Sequence, residues 1–588
     1  MIRINSAKTV FDVPRIIFTL RGNKKSEEVI RELGGSNKQE YRVFGTSEEI
    51  RAYFQSGVLP TVAVVLFDYP GGKAFTMATH SRADDVKCVP AWAHGAQWAV
   101  KIHSWCKPSG CARQLRADFL KKFESQLVQG RFPWGFPRKK ESPPAHVVLP
   151  DISEIISRLN SGPDFAAAIA DTEYALELPE GSRISWLRVA PEPIGCNEVY
   201  LQKVLIALEE FERAGDRLVR SGDSETHEML CAGVAIEPHL KEAYLYPSTN
   251  SFSVRRPDLH YTGSGLFASE NDEMPGGFAE IVHLDNAYLL NQERWEQCFR
   301  WLTKKGLLLF IVSHEWSKCY IPEITWLVGY LRSQGYSAEI LTTDCLNELS
   351  VTKGLVHYRG KRVETIWRQF PIFETRGVLA DLVDAARNGV IRMVPEFAHF
   401  GNKTWFSIFR KKGEFFRKIL APETYSILNE ILPDSHLVVS PESFPCRVAG
   451  ITINDLGKLY GLDEEQRNSL VLKVTGANTM SSRSYGVLMG HGLAQSTWHN
   501  WIADRICTNE PFIIQRLLNT AVAQVPVQHL GTNRAELFGC RILLRPWVVG
   551  GALVSANACA VPSNTLRVHG RVDMAVLPVV FDRDSLSE

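Results

Sequence analysis

The chain has 588 residues, 45% of them hydrophobic and 22% charged, the composition of soluble globular domains with full cores and, at this length, of about three or four of them. Its 66 basic and 65 acidic residues leave a net charge of +1, which gives no bulk attraction to nucleic acid or to a membrane surface. Apolar runs such as Gly306–Val312 and Trp547–Val549 are far too short to span a bilayer, the N-terminus lacks the apolar core of a signal peptide, and the twelve cysteines include no CxxC pair, so neither a zinc framework nor disulfides are expected and the cytoplasm is the expected compartment.

Residues 1–130 read as a small α/β domain of unknown role, with strands at Arg15–Leu20 and Thr61–Phe67 and helices at Ser47–Phe54 and Ala112–Gln129. His80, His94 and His103 occur there without metal-ligand spacing and read as core or surface histidines. Residues 131–150 hold five prolines beside a charge cluster, the pattern of an interdomain linker. In residues 151–394, Glu198–Arg220 carries apolar residues at helical spacing. Asn291–Lys304 predicts a helix, Gly306–Ser313 a buried strand, Ile324–Ser333 a helix closed by Gly335, and Ala338–Thr342 a strand. That alternation is the pattern of a doubly wound α/β layer, and a further α/β module spans 395–588.

Between the long helix and that layer lies RPDLHYTGSGLFASENDEMPGG, the segment richest in chemistry. Gly263 and Gly265 interrupt two short apolar stretches, which predicts a hairpin. Asp258 on its first strand then lies near Glu270 and Asp272 on its second, and residues two apart share a strand face. Three converging carboxylates repel one another unless a cation sits among them, and an all-oxygen donor set suits Mg²⁺ or Mn²⁺. Arg256, two residues before Asp258, is on the same face and placed to meet phosphate oxygens. A charged hairpin edge facing water is the alternative that this segment leaves open.

Three downstream features bear on a nucleotide. Gly401-Asn402-Lys403 precedes a helical stretch. The strand Leu470–Lys473 delivers Lys473 to a tip of small and hydroxyl residues, including Gly476, Ser481 and Ser482, before a return strand at Tyr485–Met489. A buried strand, Phe512–Arg516, carries Gln515. Backbone N–H groups and hydroxyls at such a tip reach phosphate oxygens without steric conflict, although the GxxxxGK[ST] loop is absent. An ordinary Ser/Thr-rich loop and a snorkelling surface lysine are the competing readings of these features taken singly.

Taken together, in this order and spacing, the residues from about Asn197 onward resemble the circularly permuted ATP-grasp ligases, nearest to the synthetase domain of glutathionylspermidine synthase. The likeness rests on Arg256-x-Asp258, eleven residues, then Glu270-x-Asp272, with Asp272 where that family has Asn. It extends to Asn402-Lys403, to the Leu470–Gly490 strand and flap, to a hinge strand at Phe512–Arg516 with Arg516 in place of an acid, and to Trp547-Val548-Val549-Gly550. The family's late arginine has no match in Ala556–Ala560, leaving Arg545, Arg567 and Arg571 as alternatives. The resemblance implies an α/β (α+β) fold: a circularly permuted ATP-grasp with a pre-ATP-grasp layer and an extra N-terminal domain. It implies ATP and Mg²⁺ as cofactors and small-molecule carboxylate and amine substrates joined through an acyl phosphate. It assigns Asp258, Glu270 and Asp272 to the metal, Arg256 to the transferred phosphoryl group, and Lys403, Lys473, Gly476, Ser481, Ser482 and Gln515 to the nucleotide. By the same likeness Arg368 and Glu374, in Ile366–Glu374, belong near the acceptor, with Glu374 drawing a cationic amine; a helix N-terminal acid is its other reading. A degenerate scaffold that binds nucleotide or protein, and a phosphotransferase that stops at phosphoryl transfer, are the alternatives in function.

Overall fold

The computed structural model describes residues 149–166 and 182–582, apart from 235, 237, 239, 248–253, 264, 273, 305, 353–354, 482–485, 533 and 566–571, together with four strands among the first 148 residues. The chain forms two compact units, Met1–Ser142 and Pro143–Glu588. In the first, Ile16–Leu20 runs parallel to Arg42–Phe44 and to Val62–Tyr69, and Gly72–Thr79 returns antiparallel to Val62–Tyr69. The expected strands at Arg15–Leu20 and Thr61–Phe67 are two of these four. The expected helices Ser47–Phe54 and Ala112–Gln129, the three histidines and the Pro-rich stretch up to 148 lie outside the described residues.

The second unit is mixed α and β. Its first layer is a six-stranded sheet in which Ala338–Thr342, Leu307–Val312, Lys361–Gln369 and Arg392–Val394 run parallel, with an antiparallel extension at Leu355–Tyr358 and Leu349–Thr352. Leu307–Val312 (LLLFIV) is buried at every position, as a parallel strand covered on both faces must be. The helix expected at Ile324–Ser333 begins earlier, at Ser317, and runs through Pro322. The first four N–H groups of a helix have no intrahelical acceptor, so a proline two residues beyond them forfeits a single ladder bond and the first turn survives. This extension matters because Trp316, Cys319, Tyr320 and Glu323 of those turns line the main cleft.

The second layer is an eight-stranded, mostly antiparallel sheet. The predicted hairpin is here: Val254–Tyr261 pairs with Leu266–Asp272 on one side and with the long strand Arg534–Val549 on the other, followed by Ala552–Pro562 and Ala575–Asp582. The carboxylate hairpin, which precedes the parallel layer in sequence, is thus hydrogen-bonded to the chain's last strands. Between the two layers lies helix Phe278–Tyr288. It is apolar on most of its circumference, as a helix covered on all sides must be, and it shares one core with Phe310 and Trp367 of the parallel sheet and Leu543 and Trp547 of the antiparallel one. Phe278 stacks on Trp367, with ring centroids 4.3 Å apart, and lies 5.2 Å from Trp547. The helix starts at Gly277, whose φ of 83° is the left-handed conformation that glycine adopts without strain, so the chain turns sharply from the hairpin into the core.

A four-stranded antiparallel sheet, ordered Ser435–Val438, Phe512–Arg516, Leu470–Val474, Val487–Met489, carries its own core of Leu472, Phe512 and Ile514 under Trp498 and Ile502. Both predicted strands, the lysine strand and the hinge strand, are its centre.

Candidate functional site

The site begins with register. Arg256 faces Asp272 across the hairpin and Asp258 faces Glu270, with a bulge after Asp258. All four side chains stand on one face. The alternate residues serve the other face: Arg255 pairs with Glu209 at 2.5 Å on helix Glu198–Arg220, and Asn271 donates to Glu212 on the same helix. Period-two alternation therefore separates the residues that anchor the hairpin from those that address the cleft.

Each cleft-facing acid of the hairpin already has a cation. Arg256 pairs with Asp272 and lies 3.7 Å from Asp258; Arg545 donates from Nε to Asp258 Oδ1 at 3.2 Å; Lys403 Nζ lies 2.7 Å from Glu270 Oε1. Arg545 reaches this place because its strand lies beside the hairpin, with Leu543 opposite His260 and Leu544 opposite Leu259. Of the three arginines left open by sequence it is the one at the site; Arg567 and Arg571 lie outside the described residues. Burial alone would push the Glu270 carboxyl up, but the Lys403 ammonium outweighs it and holds it below its ordinary value. Burial also opposes the charge on Arg545, and Asp258 outweighs that, so this guanidinium is held firmly protonated. Asp272 is pushed up by burial in spite of Arg256. The expectation that mutual repulsion of the acids demands a metal is thus corrected in its premise: basic side chains supply the counter-charge. Among the described residues, no group of three His, Cys, Asp or Glu side chains is arranged to hold a metal as it stands. The donor set itself fits a hard divalent ion, three carboxylates on one face, once Glu270 releases Lys403 and Asp272 releases Arg256.

Lys403 and its neighbour divide the work of the Asn402-Lys403 pair. Asn402 is buried and knits three segments: its Oδ1 accepts from Thr475 Oγ1 at 2.8 Å, Thr404 N at 3.0 Å and Gly476 N at 3.3 Å, and its Nδ2 donates to Leu230 O and Tyr244 Oη. Lys403 reaches into the cleft and donates to Ser481 O at 2.7 Å, so one ammonium joins the flap to Glu270. At the flap's root Gly476 has φ 90°, and a Cβ there would stand 2.4 Å from the Gly233 carbonyl oxygen. Its glycine is required by this backbone approach, a reason the sequence does not announce. Ser482 lies outside the described residues. Lys473 donates to Ser269 O at 3.3 Å, and burial, with Lys403 beside it, lowers its ammonium to about 8. Gln515 is buried on the hinge strand and donates to Ser435 Oγ at 3.3 Å.

Two cavities meet at this network. A cleft of about 390 Å³ is walled by Arg256, Asp258, Glu270, Asp272 and Arg545, together with Glu280, Glu323 and aromatic side chains; a smaller one of about 130 Å³ is walled by Lys473, Gln515, Arg516 and Arg541. Asp258, Glu270, Lys403 and Ser481 belong to both. Neither Arg368 nor Glu374 is in the cleft wall. Arg368 is fully buried and donates to the carbonyls of Pro395, Phe370 and Glu396, which pins the cleft-wall segment Pro371–Phe373 from behind. Glu374 accepts from Ser313 Oγ at 3.0 Å and from Trp316 Nε1 at 2.8 Å, and so holds Trp316, a wall residue, in place. Sequence reading missed Glu280, Glu323 and Arg541. Glu280 and Glu323 fall outside every helix expected from sequence, and only the packing of two helices brings them to one cleft.

No helix among the described residues is long and apolar enough to cross a membrane. No protein-family model and no curated protein sequence matches the chain. Among solved structures it is similar to a glutathione synthetase-like effector from Globodera pallida, at 11% identity and a TM-score of 0.37 over 74% of this chain and 98% of that one. It is also similar to a protein provisionally described as a gamma-glutamylcysteine synthetase from Methylobacillus flagellatus KT, at 11% identity and a TM-score of 0.30 over 61% of this chain and 81% of that one. Likeness at this level carries no argument about function.

Proposed function

We propose that the chain is an ATP-dependent ligase that joins a carboxylate to an amine through an acyl phosphate. The observation that supports this most is the meeting of two cavities at Asp258, Glu270, Lys403 and Ser481, the smaller with Lys403, Lys473, Arg516 and Arg541 against those two acids and the larger with acids in excess. In this reading the nucleotide lies along the smaller cavity and extends past Lys403 into the larger, because about 130 Å³ holds only part of it, with Gln515 and the hinge strand at its back and Lys403 and Lys473 neutralising its phosphates. The larger accommodates the acid and amine. Mg²⁺, when bound, would be held by Asp258, Glu270 and Asp272 and would supply neutralisation of phosphate charge. Arg256 and Arg545 are positioned to hold the transferred phosphoryl group and the acyl phosphate, a task of positioning and electrostatics more than of covalent chemistry. Lys403, joined to the carbonyl of Ser481, ties nucleotide binding to flap closure, which would keep water from the acyl phosphate.

The test is ADP release from Mg-ATP across a matrix of carboxylates and amines, with Arg256→Ala and Asp258→Asn as controls. ADP release that requires both partners and is lost in both variants supports the reading. Normal turnover in either variant removes the assignment. Mg-ATP binding without turnover would favour the scaffold, which the paired acids of the ligand-free site motivate, and a stable phosphorylated product formed without an amine would favour a phosphotransferase.

A further inference from the structure

Five carboxyl groups line the larger cleft, Asp258, Glu270, Asp272, Glu280 and Glu323, against three basic side chains, Arg256, Lys403 and Arg545. The ion pairs assign those three cations to Asp258, Glu270 and Asp272. Glu280 and Glu323 are left over. Both converge on Gly277: its backbone N–H faces the Glu323 carboxyl, and Glu280 Oε2 lies 3.6 Å from the position of a Cβ on that glycine. Glu323 is 4% exposed, and its Oε1 is buried without a hydrogen-bond partner. A buried orphan acceptor is destabilising, so a side chain lacking that oxygen would give a more stable fold, which leaves the carboxyl explained by a use in the site. The wall around the pair is aromatic, with Trp316, Tyr320 and Phe373, and ring faces attract cations.

We propose that Glu280 and Glu323 form the recognition site for the positively charged amino group of an amine substrate, on the cleft wall made by helices Phe278–Tyr288 and Ser317–Ser333. An ammonium has three donors and no acceptor, which matches two carboxyl groups that have spare acceptors and, among the described residues, no basic side chain in direct ion-pair contact. That this amine is the acceptor of the ligation rests on the proposed ligase function; that the pair binds an ammonium does not. Burial first and then Glu280 push the Glu323 carboxyl up to about 8, while burial pushes Glu280 up; Arg256 faces both groups, Arg545 faces Glu280, and these cations reduce the shifts without cancelling them. A bound ammonium supplies the missing charge, so its binding at pH 7 is accompanied by release of a proton.

The test is calorimetric titration of the full chain with ethylamine, 1,4-diaminobutane and glycinamide, without divalent ions, in two buffers of different ionisation enthalpy. At least one amine is expected to bind with proton release, and the Glu280→Gln/Glu323→Gln double variant is expected to weaken it at least tenfold. Unchanged affinity in that variant, no binding of any amine to the wild type, or loss of Mn²⁺ binding in place of amine binding overturns the proposal. Glu323→Leu guards against a folding artefact: it removes the orphan oxygen, so it is expected to melt above the wild type and still lose the amine. Mg-ATP titration of the same samples reports separately on the ligase reading, which falls if the wild type binds no Mg-ATP whatever the amines do.

Discussion

On the proposed reading Asp258 is the residue on which nucleotide, metal and sheet would converge, and Asp258→Asn is the sharpest perturbation of the site. Its carboxylate is 4% exposed, with Arg545 Nε at 3.2 Å and Arg256 Nε at 3.7 Å. At an effective dielectric constant of about 20 those separations correspond to gross attractions of about 5 and about 4 kcal/mol, most of which is offset by desolvation. Removing one member of a buried pair costs about 3–5 kcal/mol, because it strands the partner charge. Asparagine keeps one acceptor for Arg545, and Arg256 keeps Asp272, so the low end, about 3 kcal/mol, is expected. The functional effect is separable from this. If wild type at one hundred times its dissociation constant for Mg-ATP gains about 2.7 kcal/mol from the ligand, a loss of 10–100-fold in affinity leaves about 0.4–1.4 kcal/mol at the same concentration. Thermal denaturation with a non-hydrolysable ATP analogue, with Mg²⁺ or with EDTA, reads both terms: the ligand-free difference gives the structural cost and the ligand-induced shift gives the site. An Asp258→Asn protein whose Mg²⁺-dependent shift equals that of the wild type would refute the metal and phosphate assignment, whatever its intrinsic stability.

Three further outcomes follow from single contacts. Lys403→Met frees Glu270, whose depressed carboxyl contributes stability fully present above its unfolded value and lost as pH falls through its folded one; in urea denaturation the deficit of the variant should therefore be largest near neutrality and shrink as pH is lowered towards about 4. Gly476→Ala should cost about 1–2 kcal/mol for the left-handed backbone alone, and more for the approach to the carbonyls of Gly233 and Ala232; raised flap protease sensitivity and weaker nucleotide binding are the readouts, and wild-type resistance would contradict the geometry. Asn402→Ala orphans buried groups on three segments at about 1–3 kcal/mol each, so a midpoint unchanged in chemical denaturation would show that the network is not formed.

What could be read in the sequence was what obeys local periodicity. The hairpin, helix Glu198–Arg220, the strand Ala338–Thr342 and the lysine and hinge strands follow from alternation and turn residues, and their positions agree with the structure to within a few residues. Helix Ser317–Ser333 was expected only from Ile324 onward; its first turns, which contain Pro322, were missed, because a proline near a helix start forfeits few ladder bonds and need not end the helix. The site was half legible for the same reason. Residues on one hairpin share a face by rule, so Arg256, Asp258, Glu270 and Asp272 could be grouped from spacing alone. Arg545 could not, because its place beside Asp258 depends on pairing between strands almost 300 residues apart, and pairing register across such distances has no local signature. The same limit explains the misdirected argument from repulsion. Counting three acids on one strand pair predicts a missing cation, but the charge that balances them arrives from elsewhere in the fold, as Lys403 from a helix start and Arg545 from a distant strand. Charge counting becomes informative only once the whole cleft is assembled, and then the imbalance lies at Glu280 and Glu323, whose helices bring to one glycine two acids that sequence presents as unrelated. A metal at the hairpin must therefore displace cations already ion-paired there, whereas a cation at the second pair meets two carboxyl groups that no described basic side chain contacts directly, so the two sites should differ in what salt and pH do to them: the first weakened by competition from its own lysine and arginine, the second strengthened as its carboxyl groups lose their protons.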